Sequence, residues 1–132
     1  MKTSFSTLPD YMSTIELEKY FNEFIEVYTT TDEIINSLEE LDELAERQWH
    51  TYEIISDGLK AKIENFIVSI INYESYEIMD LVLVVIPKLG LQNTFSKIVQ
   101  NIDNIRDSEV IELIREAEKE YGKTVANPYS GM

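Results

Sequence analysis

Apolar positions recur along most of this chain at the spacing of helices buried on one side. Leu17, Tyr20, Phe21, Phe24, Ile25 and Tyr28 share one face of a 3.6-residue period. Ser13 and Glu16 form a capping box at the start of that stretch. Thr30, Thr31 and Asp32 interrupt the period and cap a second stripe of Ile34, Ile35, Leu38 and Leu41. From Leu44 to Ser56, Ala45, Gln48, Trp49, Tyr52 and Ile55 keep helical spacing. This stretch either continues the second helix or, if Leu41–Glu46 breaks it, forms another.

Further along, the pattern repeats itself. Of the four glycines, Gly58, Gly90 and Gly122 are 32 residues apart. At that offset Leu59 falls on Leu91, Phe66 on Ile98, Ile70 on Ile102, Ile78 on Val110 and Leu81 on Leu113. Apolar meets apolar across two helices and their connection, which marks a structural repeat. Each copy reads as a helical hairpin. Ser75 caps the second helix of the first copy, and Gly90 supplies its left-handed end; Asp107 or Ser108 caps the counterpart, which Gly122 ends. Leu81–Ile86, six apolar residues rich in β-branched types, could be a buried strand. Its repeat partner, Leu-Ile-Arg-Glu-Ala-Glu at 113–118, is a helix former, so a helix sandwiched between neighbours is expected instead.

The expected fold is all-α: a short right-handed α-solenoid of six or seven antiparallel helices in a single domain. The expected divisions are an N-terminal arm over 1–12, a capping helix over 13–28, hairpins over 29–57, 58–90 and 91–122, and a turn-rich tail over 123–132. At offset 32, Ile34, Ile35 and Leu38 fall on Phe66, Ile67 and Ile70, which carries the repeat upstream.

Composition narrows the function. The 132 residues are 44% apolar, enough for a real core. Asp and Glu number 25 against 11 Lys and Arg, a net charge of −14. Nucleic-acid and anionic-membrane binding need the opposite sign. The start of the chain has no apolar signal region and no run approaches the ~20 residues of a membrane span, so a cytoplasmic protein is expected. No cysteine is present, which removes thiol catalysis and thiolate metal sites.

Catalytic chemistry finds little to work with. His50 is the only histidine, and Glu46 and Glu53 stand at the wrong spacing for a Glu-x-x-His motif. Calcium-loop, nucleophile-elbow and phosphate-loop patterns are absent. Neither an enzyme nor a metal or cofactor site is expected.

Charge is distributed unevenly. Residues 1–50 hold 12 acids and 3 bases. Seven acids lie between Asp32 and Glu46 with no base before Arg47, and Arg47 alone offsets little of their repulsion. Such a run is either a solvated face or a binding surface. In the repeat register, Glu77 and Asp80 share a flank with Val84, and Glu109, Glu112 and Glu116 hold the equivalent flank one repeat later. Glu46 and Glu53 extend this acidic ladder if the first pair keeps register. Trp49 and Tyr52 interleave with them, either as core aromatics or, if exposed, as interface anchors.

Hairpins of about 32 residues in a small, acidic, cysteine-free chain resemble the HEAT-like helical immunity proteins of bacterial polymorphic-toxin and contact-dependent inhibition systems. The resemblance covers residues 13–122 as an architecture. It implies a protein that binds one cognate toxin and blocks it, often a nuclease with a basic cleft. The partner-binding residues expected from charge and register are Glu46, Trp49, Tyr52, Glu53, Glu77, Asp80, Glu109 and Glu112. The competing expectation is an adaptor whose groove holds a peptide or helix of a larger assembly.

Overall fold

A computed structural model of the chain describes residues 5–28 and 32–125. These residues form six α-helices and a 3-10 turn, with no strand among them. The helices are α1 (Thr14–Tyr28), α2 (Ile34–Trp49), α3 (Asp57–Ile70), α4 (Tyr76–Leu89), α5 (Gln92–Gln100) and α6 (Ser108–Tyr121), with the 3-10 turn at Ile102–Asn104.

Local chemistry sets most of the helix starts. Ser13 Oγ accepts the Glu16 N–H at 3.2 Å, Ser56 Oγ that of Leu59 and Ser75 Oγ that of Ile78, both at 3.3 Å. Asp107 accepts from Glu109 and Val110 at the head of α6. Helix α2 lacks such a cap. Its N-cap is Glu33, whose side chain makes no capping bond, while Thr30 and Thr31 lie outside the described residues. At the end of α4, Gly90 takes φ 68°, a left-handed conformation that favours glycine.

The helices alternate between two layers. One layer holds α1, α3 and α5, each packed on the next, and the other holds α2, α4 and α6. This layering is compatible with a solenoid-like arrangement in which α1 pairs with α2. The expected hairpin over 29–57 is therefore not formed. Helix α2 runs unbroken through Leu41–Glu46 to Trp49, residues 51–56 are not helical, and α1 is the partner of α2 rather than a separate cap. Offset 32 fails in the first pair because it lays the start of α2 on the end of α3 and carries the rest of α2 across the turn into α4.

Central helix α4 touches α2, α5 and α6. Within Leu81–Ile86, Val82, Leu83, Val85 and Ile86 are buried and only Val84 is exposed, so the apolar run is a helix enclosed on most sides. Phe24 and Phe66 meet edge to face where α1 packs on α3. Two segments beyond the helices join the core. Phe5 is fully buried and its ring packs against Tyr20 and Tyr28, while Val125 closes the far end. The expected arm is thus a strap bound to the body. The tail beyond Val125 lies outside the described residues.

Candidate functional site

The acids of α2 are largely occupied by the fold itself. Lys88, near the end of α4, places its ammonium 2.7 Å from both Asp42 and Glu46. Glu40 Oε2 accepts the Phe5 N–H at 2.7 Å. Arg47, expected to offset little, is almost fully buried. Its guanidinium donates to the Glu43 carboxylate at 2.8 Å and to the carbonyls of Leu8, Pro9 and Glu43 at 2.8–3.0 Å. One arginine thereby fastens the strap and neutralises an acid four residues before it. The pairing shows in the titration of the groups. The Lys88 hydrogen bond and charge hold the Glu46 carboxyl below its ordinary value. Burial pulls the Lys88 ammonium down, but its bonds to Asp42 and Glu46 outweigh this and raise it.

The expected ladder divides accordingly. Glu46 sits beside Lys88, whereas Glu77 and Asp80 are at the start of the same helix. Glu77 and Lys88 are about 16 Å apart along the axis at 1.5 Å per residue. Glu46, Trp49, Tyr52 and Glu53 therefore belong to one end of the molecule and Glu77, Asp80, Glu109 and Glu112 to the other. The register fails because the first pair carries the extra turn 50–56 and a longer second helix.

At the second end the register holds. Helices α4 and α6 run in the same sense, since Tyr76 lies against Glu109 and Glu112 while Tyr121 reaches Leu83. Tyr76, Glu109, Glu112, Leu113 and Glu116 line an open cleft of about 240 Å³. Asp80 follows Tyr76 one helical turn later, and Glu77 flanks it. Glu77, Asp80, Glu109, Glu112 and Glu116 are all exposed, and none makes an ion pair within 4 Å among the described residues. Arg115 and Lys119 on α6 are exposed too, without closing onto them. Glu116, which is not among the partner-binding residues expected from charge and register, also lines the cleft. Its place on the Glu112 flank was the available signal.

The two aromatics separate. Trp49 is half-buried at the end of α2, and its ring neighbours His50 at 6.0 Å. Tyr52 is 67% exposed and has φ 59°, in the left-handed region. That conformation costs a tyrosine roughly 1–2 kcal/mol. The turn is fixed by Thr51 Oγ1, which donates to the Gln48 carbonyl at 2.7 Å and accepts the Glu53 N–H at 3.0 Å. Gln48 Nε2 also donates to the Glu53 carbonyl at 2.8 Å. His50 is half-buried, with Nδ1 3.2 Å from the Asp10 carbonyl and its ring against Tyr11.

Among the described residues there is no group of three or more His, Asp or Glu side chains arranged to hold a metal ion, and no helix long and apolar enough to cross a membrane. No protein-family model matches the chain, and comparison with curated proteins and with solved structures gives no match.

Proposed function

We propose that this protein is an inhibitor that captures a basic protein partner on the acidic face of α4 and α6. The partner expected from the resemblance to helical immunity proteins is a toxin, a nuclease with a cationic cleft. One observation carries the reading. Four of the five acids of α2 are held within the fold by Lys88, Arg47 or the Phe5 N–H, whereas the five carboxylates around the α4–α6 cleft make no ion pair within 4 Å among the described residues. Unpaired like charges on a short face work against the compact state, so they suit a surface completed by a partner of opposite sign. Tyr76, 46% exposed at the cleft, supplies an aromatic contact.

Affinity capture from the producing cells tests this directly. The wild-type chain should retain a basic protein and suppress its nuclease activity. The Glu77→Lys, Asp80→Lys, Glu109→Lys, Glu112→Lys variant should stay folded and retain nothing basic. Equal retention by both baits contradicts the proposal.

The adaptor reading keeps one observation of its own. A groove of about 410 Å³ runs between α3 and α5, lined by Val68, Ile71, Tyr73 and Ile98 among others. A partner that contacts this groove and leaves the α4–α6 face open would favour it.

A further inference from the structure

Four of the large apolar side chains that the fold leaves in water are Tyr11, Ile15, Tyr52 and Ile54. All belong to segments that meet at one end of the stack: the strap, the first turn of α1 and the turn after α2. Tyr11 lies on His50 at a ring separation of 5.2 Å, which ties the strap to the end of α2. A pocket of about 210 Å³ opens between the start of α1, the end of α2, the turn after it and the start of α3, and Ile54 is the one of the four that lines it. Ile54, Ile55 and Leu59 make its apolar wall, and Glu18 stands at the edge. Its polar wall is Gln48, Ser56 and Thr14, whose buried hydroxyl has no hydrogen-bond partner among the described residues. Asp10 and Glu16 are exposed on the same segments. The hydrogen bonds of Thr51 and Gln48 hold the turn in the one conformation that turns the Tyr52 backbone left-handed. Exposed apolar side chains beside a pocket with polar edges mark a contact surface, and tyrosine is favoured in such surfaces.

We infer that this end anchors a partner segment carrying an aliphatic side chain beside a lysine or arginine. The aliphatic group fits the pocket against Ile54, Ile55 and Leu59, and the cation meets Glu18. Charge selects this occupant over a second copy of the chain, because two molecules at −14 each repel and both would bring acids to the contact. The inference goes beyond the α4–α6 face: it concerns the opposite end and rests on different residues.

The test is a nuclear magnetic resonance titration of the isotope-labelled full chain with the blocked peptide acetyl-Lys-Leu-Lys-Leu-Lys-amide. Saturable shifts at Tyr11, Ile15 and Ile54 are expected, with a dissociation constant on the order of millimolar. A Tyr11→Ser, Ile54→Ser variant, altered only at exposed positions, should bind at least about fivefold more weakly. A Val68→Ser, Val84→Ser control, which removes exposed apolar side chains elsewhere on the surface, should bind as the wild type does. The matching peptide with glutamate in place of lysine should give no shifts at this end. Four results overturn the inference: no saturable shifts, shifts confined to α4 and α6, equal binding of the acidic peptide, or concentration-dependent shifts without peptide that reveal self-association. Shifts confined to α4 and α6 would leave the proposed inhibitory face standing while removing this anchor.

Discussion

Pro87 has no N–H, so the Leu83 carbonyl four residues earlier loses its helical partner. The Tyr121 hydroxyl of α6 donates to that carbonyl at 2.8 Å. A proline tolerated in the last turn of one helix is thus completed by a tyrosine 34 positions later. Tyr121→Phe leaves the carbonyl unpaired and should cost about 1–2 kcal/mol in chemical denaturation. The cost should shrink in a Pro87→Ala background, where residue 87 regains its N–H, and an undiminished cost would assign the effect to ring packing. Burial, then the Glu120 charge, holds the Tyr121 phenol well above its ordinary value of 10.0. A raised folded value means this contribution is complete below pH 10 and declines as pH rises beyond it. Glu46 runs the other way. Its lowered value gives stability that is present above its ordinary 4.5 and lost as pH falls. Lys88→Met should therefore lower the melting temperature at pH 7 and have little effect near pH 3. A deficit of equal size at both values would mean that packing, not the ion pair, is what Lys88 contributes.

Elements were legible wherever the signal was local. The stripes of α1, α3, α4 and α6 and the caps Ser13, Ser75, Asp107 and Gly90 stand in the structure as the sequence implied. Nonlocal partners were not legible. Helix α5 has Leu91 at its N-cap and no capping side chain of its own. Buried Glu64 of α3 caps it across the layer, accepting from the Thr94 N–H at 2.8 Å and its hydroxyl at 2.9 Å. Pairing over 30 residues leaves no mark in a spacing pattern. Glu64→Ala should cost about 1–3 kcal/mol and speed amide exchange first in α5. Exchange that quickens uniformly would show that the carboxylate serves the whole core rather than this helix end. Arg47 was misread for the same reason. A lone cation beside seven acids looked like weak screening, yet its main partners are carbonyls of the strap some 40 residues away. Arg47→Lys keeps the charge but not the fork of donors. It should release the strap, seen as faster exchange around Phe5 and Leu8 with the helices still protected. A strap that stays protected would show that Phe5 burial alone retains it.

At the scale of the molecule, charge is used in two ways. On α2 it is internal, spent on Lys88, Arg47 and the strap; on α4 and α6 it is left unmatched. Sequence alone could not separate the two, because both are acids on a helical flank. The repeat register aligns α4 with α6, which keep the 32-residue spacing. It misplaced Glu46 and Glu53, because the first hairpin has a longer second helix and an extra turn. The exposure of Tyr52 was open for a similar reason: its helical spacing continues that of α2, but the helix stops at Trp49.

The central claim is that the α4–α6 face, and not bulk negative charge, captures the partner. Two charge-matched variants separate these ideas. One carries Glu77→Lys, Asp80→Lys, Glu109→Lys and Glu112→Lys. The other carries Glu26→Lys, Asp32→Lys, Glu39→Lys and Asp57→Lys, all at exposed positions outside α4, α6 and the turns that lead into them. Each moves the net charge by eight, from −14 to −6. The measurement is the association rate of the captured partner with each variant across a salt series. The face variant should lose association by about a hundredfold or more and lose its salt dependence, while the control stays within roughly threefold of the wild type. Equal losses in the two variants would contradict the account.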